Sequence, residues 1–215
     1  MARIGLLGGT FDPVHNGHLQ LAEAVLQTCD LDKILFIPAA HPPHKNQAIV
    51  CAIEHRLHML KLGIGERKEF QISEIEISRT RASYTIETVE ELRRSSGTDT
   101  RYHFILGYDA LFEIETWHRW DELLASTNFI VAVRPGFSLK EIEQLLKRNG
   151  FRPARKGKDR WVHRQHANEV WFLADEIVDI SSTDIRARIL SARTWKNLVP
   201  PSVATYIMEN RLYAG

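Results

Sequence analysis

Five short apolar runs punctuate the chain: "IGLL" (4–7), "KILFIPA" (33–39), "YHFILG" (102–107), "FIVAVR" (129–134) and "EVWFL" (169–173). Runs of this length read as buried strands, and the segments between them carry helical spacing at 17–29, 52–64, 85–94 and 138–149. In 52–64, Leu57, Leu60, Lys61 and Ile64 fall on one side. Strands alternating with helices predict an α/β fold, an open parallel sheet with helices on both faces. "FQISEIEIS" (70–78) alternates apolar and polar positions, which predicts a half-exposed or edge strand. The segment 200–213 opens with Pro200-Pro201, and its Val203, Tyr206, Ile207 and Leu212 suit a closing helix packed on the sheet. With no internal repeat or low-complexity tract, residues 1–215 read as one domain whose helical C-terminal segment, 181–215, lies over the strand ends.

Composition narrows the classes. Hydrophobic residues make up 44% and charged residues 26%, ordinary values for a globular protein. A net charge of +1 supplies no general field for nucleic acid, so no nucleic-acid partner is expected. The basic stretch 152–166 reads as a solvated surface loop, with a phosphate or RNA contact as the alternative. Cys29 and Cys51 are too few for a disulfide framework or a cysteine zinc site and read as reduced thiols of a cytoplasmic protein. No stretch approaches the ~20 apolar residues of a membrane span. The N-terminal apolar run is broken by glycines and lacks a cleavage site, against a signal peptide.

The chemistry concentrates in "GGTFDPVHNGHL" (8–19), between the first strand and a helix beginning near Asn16. A glycine pair after a strand is often only a turn, and both G-x-G-x-x-G and G-x-x-x-x-G-K-[ST] are absent. The helix changes that reading, because ligands of open α/β sheets gather at strand carboxyl ends, where helix N-termini offer unpaired N–H groups. Gly8 and Gly9 allow close approach to the backbone there. His15 and His18, at i and i+3, share a face of the first turn, with Gly17 between them keeping that surface open. A zinc pair is the rival reading, but H-E-x-x-H and a third ligand are missing. The same spacing at His55 and His58, inside an amphipathic helix without glycines, reads as surface or structural, so context rather than spacing carries the signal.

"GGTFDPVHNGH" resembles the signature of the nucleotidylyltransferase superfamily. The resemblance implies a Rossmann-like fold and nucleotidyl transfer from a nucleoside triphosphate with release of pyrophosphate. It implies ATP contacts from Gly8, Gly9, Thr10, Phe11, Gly17, His15 and His18, the two histidines being the catalytic donors aimed at charge building on the phosphoryl oxygens. A helix N-terminus disfavours imidazolium while a triphosphate favours it; the full, close charge of the triphosphate is expected to prevail in the complex. "DISSTDIRARI" (179–189) has a loose capping pattern at Ser181 and Asp184. It also resembles the superfamily's second element, which implies that Ser181, Ser182, Thr183 and Arg186 hold the β- and γ-phosphates.

The chain is similar nearly end to end to the bacterial nicotinate-mononucleotide adenylyltransferase family, through "IPAAHPPHK" (37–45), "SYTIETVEEL" (83–92), "FILGYDALFEIETWHRW" (104–120) and "VRPG" (133–136). The resemblance implies adenylyl transfer from ATP to nicotinate mononucleotide, giving deamido-NAD and pyrophosphate by direct in-line attack, with Mg²⁺ held mainly by the phosphates and water. It implies a mononucleotide site of His44, Lys45, Ser83, Tyr84, Thr85, Asp109 and Trp117, and places Arg134 near ATP. Trp117 offers a face for stacking a pyridine ring, Thr85 a donor to its carboxylate, and Asp109 an acceptor for ribose hydroxyls. Read without the family, Trp117 is a core residue and Thr85 and Asp109 are helix caps. Two positions depart from the family: Gly107-Tyr108-Asp109-Ala110 replaces Gly-Ala-Asp-Ser, and Arg81 stands where glycine is usual. Both lie on the mononucleotide side, and Arg81 suits an anionic ring substituent. The rivals are other acceptors such as phosphopantetheine, glycerol phosphate or the amide mononucleotide, a nucleotide sensor without turnover, and a metal-dependent hydrolase. No membrane partner is expected, and the sequence leaves room for a homo-oligomer.

Overall fold

The computed structural model describes residues 1–40, 50–96, 99–133, 139–155, 159–174 and 180–214. Eight strands form one sheet: β1 (Ala2–Gly9), β2 (Lys33–Pro38), β3 (Phe70–Ile72), β4 (Thr100–Gly107), β5 (Asn128–Ala132), β6 (Phe151–Pro153), β7 (Arg160–His163) and β8 (Glu169–Leu173). Their order is β3-β2-β1-β4-β5-β8-β7-β6, which reverses direction at β1 as in doubly wound folds. β1, β4, β5 and β8 pair in parallel, with Leu6 beside Phe104, Phe104 beside Phe129 and Ile130 beside Trp171. β6 and β7 add antiparallel to β8. Each of the five apolar runs therefore contains a strand. The alternating stretch 70–78 supplies only the three residues of β3, at the sheet edge, and then turns. The basic stretch 152–166 is not simply a loop: β7 lies within it and the end of β6 opens it, and Trp161 is buried, its apolar surface seating β7 on the sheet.

The helices are α1 (Asn16–Thr28), α2 (Ile53–Ile64), α3 (Thr85–Ser96), α4 (Tyr108–Phe112), α5 (Trp120–Ser126), α6 (Leu139–Arg148), α7 (Ser182–Leu190) and α8 (Pro201–Glu209). Contacts group the chain into two compact units. The first comprises Met1–Leu7, Ala24–Ile34 and Tyr84–Glu176. Its core is the buried residues of β1, β4 and β5, among them Ile4, Leu6, Phe104, Ile105, Phe129 and Ile130. Gly5 is required there, since a Cβ would lie 2.6 Å from Ile34 and 2.9 Å from both Leu31 and Ile105. The second unit comprises Gly8–Glu23, Leu35–Ser83 and Ile177–Gly215. An aromatic chain runs through it from Phe11 to Phe36 (5.8 Å between centroids) to Phe70 (5.2 Å). α2 buries Arg56, Met59, Leu60, Gly63 and Ile64, so Leu57 and Lys61 lie off the buried face. The predicted stripe, Leu57, Leu60, Lys61 and Ile64, is thus right at Leu60 and Ile64 and omits Arg56. The expected closing helix forms as α8, but where the sequence reading packed it on the sheet it packs on α2: Ser202 donates to the Leu62 carbonyl (3.2 Å), and Tyr206 meets both His55 and His58. The His55–His58 pair is thus structural.

Candidate active site

The second unit holds the glycine–histidine turn. β1 ends at Gly9, whose carbonyl accepts from the Ala39 N–H (2.9 Å). A Cβ on Gly9 would stand 3.0 Å from the ring of Phe11. Phe11 takes a left-handed conformation (φ 49°) that turns this ring inward, edge-on to His18 at 5.0 Å. The glycine therefore makes room for Phe11 as well as exposing main chain. Phe11, expected at the ATP site, is fully buried. Gly8 is exposed, Gly9 and Thr10 are half-buried, and Gly17 is buried in the first turn of α1.

His15 stands at the N-cap of α1, where its carbonyl accepts from the N–H groups of His18 and Leu19. The His18 N–H also lies 3.3 Å from His15 Nδ1, and the His15 N–H donates to His18 Nδ1, again at 3.3 Å. This is a reciprocal capping box built from two imidazoles, and it accounts for the i, i+3 spacing. An Nδ1 that accepts carries no proton, so each neutral ring keeps its proton on Nε2. The pair therefore presents two Nε2–H groups as ring donors at the end of a helix. The rings stack with centroids 3.6 Å apart, where two positive charges would repel. Burial lowers the pKa of His15 to about 4, so in the free protein it is a neutral donor. The expectation of imidazolium donors concerned the nucleotide complex.

Two distant elements, α2 and α7, clamp this turn. Arg56, 1% exposed on α2, donates to the carbonyls of Thr10 (2.8 Å), Ala39 (2.9 Å) and Cys51 (3.0 Å). Burial lowers the pKa of its guanidinium, against the raising effect of the Asp12 carboxylate. At the start of α7, the Ser182 hydroxyl donates to the Pro13 carbonyl (2.9 Å) and Arg186 Nη1 donates to the Asp12 carbonyl (2.7 Å). Arg186 Nη2 reaches Thr183 Oγ1 at 3.3 Å. Ser181 Oγ accepts from the Asp184 N–H (3.1 Å), the predicted cap. The structure thus brings Gly8–His18, Ser182 and Arg186 together. Arg56 and Asp12 were missed as organisers, because the contacts that reveal them reach 46 and 174 positions along the chain.

The remaining residues are divided. Ser83 belongs to the second unit, its Oγ buried without a hydrogen-bond partner among the described residues. In the first unit, the Tyr84 ring lies 4.3 Å from that of His118, and Thr85 opens α3. Three residues separate α3 from the start of β4, so its N-terminus lies toward the carboxyl end of that strand. Gly107 closes β4 with open space where a Cβ would be, and Asp109 follows, exposed in the first turn of α4. Trp117 is half-buried, edge-on to Phe104 at 6.0 Å. Tyr108, one of the two departures, is a buried core residue, while Arg81 is exposed. His44, Lys45 and Arg134 lie outside the described residues. Among the described residues no three or more His, Cys, Asp or Glu side chains are grouped to hold a metal ion, and no helix is long and apolar enough to cross a membrane.

A family model described as cytidylyltransferase-like matches residues 6–188. The chain is 40% identical to a protein of Thermoanaerobacter sp. named probable nicotinate-nucleotide adenylyltransferase, across 98% of this chain and 94% of the relative. It is 42% identical to a Moorella thermoacetica protein of the same name, across 98% of this chain and 91% of that one. Among solved structures it resembles Plasmodium falciparum nicotinic acid mononucleotide adenylyltransferase complexed with NaAD, with a TM-score of 0.78. That match covers 99% of this chain and 98% of the other at 18% identity, a likeness of fold.

Proposed function

The chain belongs to the cytidylyltransferase-like family, and from that premise we propose that it is a nicotinate-nucleotide adenylyltransferase of NAD biosynthesis. It transfers the adenylyl group of ATP to nicotinate mononucleotide and releases pyrophosphate. The observation that carries the chemistry is the histidine capping box, which fixes two ring donors at the N-terminus of α1 beside Gly8-Gly9. Relatives that match almost the whole chain support the acceptor.

A 5′-phosphate oxygen of nicotinate mononucleotide attacks the α-phosphorus in line, and the bond from that phosphorus to the pyrophosphate oxygen breaks. No side chain is needed as a nucleophile, so catalysis is positioning plus charge stabilisation. His15 and His18 Nε2–H groups, with the first-turn N–H groups of α1, would receive the growing phosphoryl charge. Thr183 and Arg186, with Ser181 and Ser182, would take the β- and γ-phosphates at the second helix end. For the mononucleotide the reading assigns Trp117 as the stacking surface, Thr85 as donor to the ring carboxylate and Asp109 as acceptor from ribose, with Ser83 and Tyr84 beside Thr85. His44 and Lys45 are assigned to its phosphate and Arg134 to ATP. The nucleotide is taken to bind as MgATP, its ion held by phosphates and water. Cytoplasmic ATP and mononucleotide are the substrates this reading requires.

Stereochemistry at phosphorus tests the single displacement. With ATP made chiral by an α-sulfur and nicotinate mononucleotide as acceptor, the dinucleotide should form with inversion. Retention would require two displacements and a covalent intermediate, against the proposal.

A further inference from the structure

The Asp12 carboxylate is 1% exposed and sits inside the turn that carries the histidines. Its Oδ2 accepts from the Cys51 N–H (3.3 Å) and lies 3.7 Å from Arg186 Nη1, which also bonds the Asp12 carbonyl. Its Oδ1 accepts from the hydroxyl of Tyr213 at 2.6 Å, across 201 positions of sequence. Tyr213 reaches it by a tight reversal after α8. Arg211 (φ 50°) and Tyr213 (φ 63°) both adopt the left-handed conformation that non-glycine residues seldom take, and the Leu212 N–H bonds the Ile207 carbonyl (3.0 Å). A tail that merely trailed from the helix would need neither.

We propose that Tyr213 is a positioning residue for the nucleotide. By donating to Asp12 Oδ1 it fixes the carboxylate so that Oδ2 steadies Arg186 and the main chain of Asp12 stays clamped to α7. The inference rests on the adenylyl-transfer reading for its reaction, and on the Asp12 geometry alone for the residue. Without the phenol, Asp12 would keep its charge but lose a donor on one oxygen, and the Arg186 guanidinium would be drawn further onto the carboxylate and away from phosphate. The effect belongs to ATP and not to the acceptor. Burial beside a carboxylate holds the phenol protonated, since both raise its pKa, so the effect should not vary between pH 6 and 9.

The test is Tyr213→Phe in the full chain. ATP affinity is measured by calorimetry without acceptor, and kcat and KM are measured for both substrates, with thermal melting as the control for folding. The expected result is an ATP dissociation constant raised about tenfold, as for a lost Arg186–phosphate hydrogen bond, with KM for the mononucleotide within twofold of wild type. Combining it with Asp12→Asn should add little to the effect of Asp12→Asn alone, because both act through one carboxylate. An unchanged ATP affinity in a folded Tyr213→Phe protein overturns the proposal. So does a loss that raises both KM values equally while lowering the melting temperature, which marks a purely structural role. If the wild type binds ATP but makes no product from nicotinate mononucleotide, the acceptor assignment fails and the ATP titration still decides Tyr213.

Discussion

At the scale of single residues, the capping box closes the helix with Nδ1 of His15 and His18, and the proposed reaction adds a second task, donation to phosphate from Nε2. His18→Ala removes both, and kcat should fall about 10²–10³-fold, the loss typical of one donor aimed at transition-state charge. His18→Asn separates the tasks: its carbonyl can still accept at the cap while the outward donor is gone. Stability should then stay within about 0.5 kcal/mol of wild type while kcat remains depressed. A loss of less than tenfold in either variant would make the histidine a cap and nothing more. Because burial sets the His15 pKa near 4 in the free protein, that ring does not change charge above pH 6. kcat/KM should therefore show no fall from pH 6 to 8; a decline over that range would point to an imidazolium donor instead.

At the scale of elements, the turn after β1 is shaped by side chains from α2, α7 and the residues following α8. Arg56 is the one that α2 contributes, and it satisfies three carbonyls at once. Arg56→Met keeps much of its volume but removes the buried cation, and should cost roughly 3–5 kcal/mol, read as a lower urea midpoint. An unchanged midpoint would mean that the turn holds its shape without the clamp. What could be read from the sequence at this scale follows from range. The α1 start, the Ser181 cap and the glycine pair depend on neighbours within a few positions, and all were legible. The clamps join residues 46, 174 and 201 positions apart, and nothing local distinguishes Arg56, Asp12 or Tyr213 from ordinary polar residues. The basic stretch misled for a related reason: its charges hid Trp161, whose burial makes β7 a strand. The resemblance supplied the candidate functional residues, and the structure supplied a reason for the spacing of His15 and His18.

At the scale of the whole molecule, among the described residues each unit carries one buried histidine with a strongly lowered pKa, His15 in one and His103 in the other. For His103 the largest cause is again burial, followed by the charge of Arg3, and its Nδ1 has no hydrogen-bond partner among the described residues. Both fall from 6.5 to about 4, so between these values the unfolded chain binds protons that the folded chain refuses. The stability each ring supports is complete above pH 6.5 and is lost as pH falls toward 4, on the order of 3 kcal/mol per ring. Urea midpoints should drop steeply between pH 6.5 and 4, and His103→Leu should flatten the slope; a midpoint constant over that range would contradict the burial of both rings. The function itself is tested most directly by pyrophosphate release from MgATP with nicotinate mononucleotide and nicotinamide mononucleotide side by side. The account predicts turnover with the acid at least tenfold more efficient than with the amide, the margin that one hydrogen bond to a carboxylate provides. Turnover of the amide alone, or no pyrophosphate from either, would contradict it.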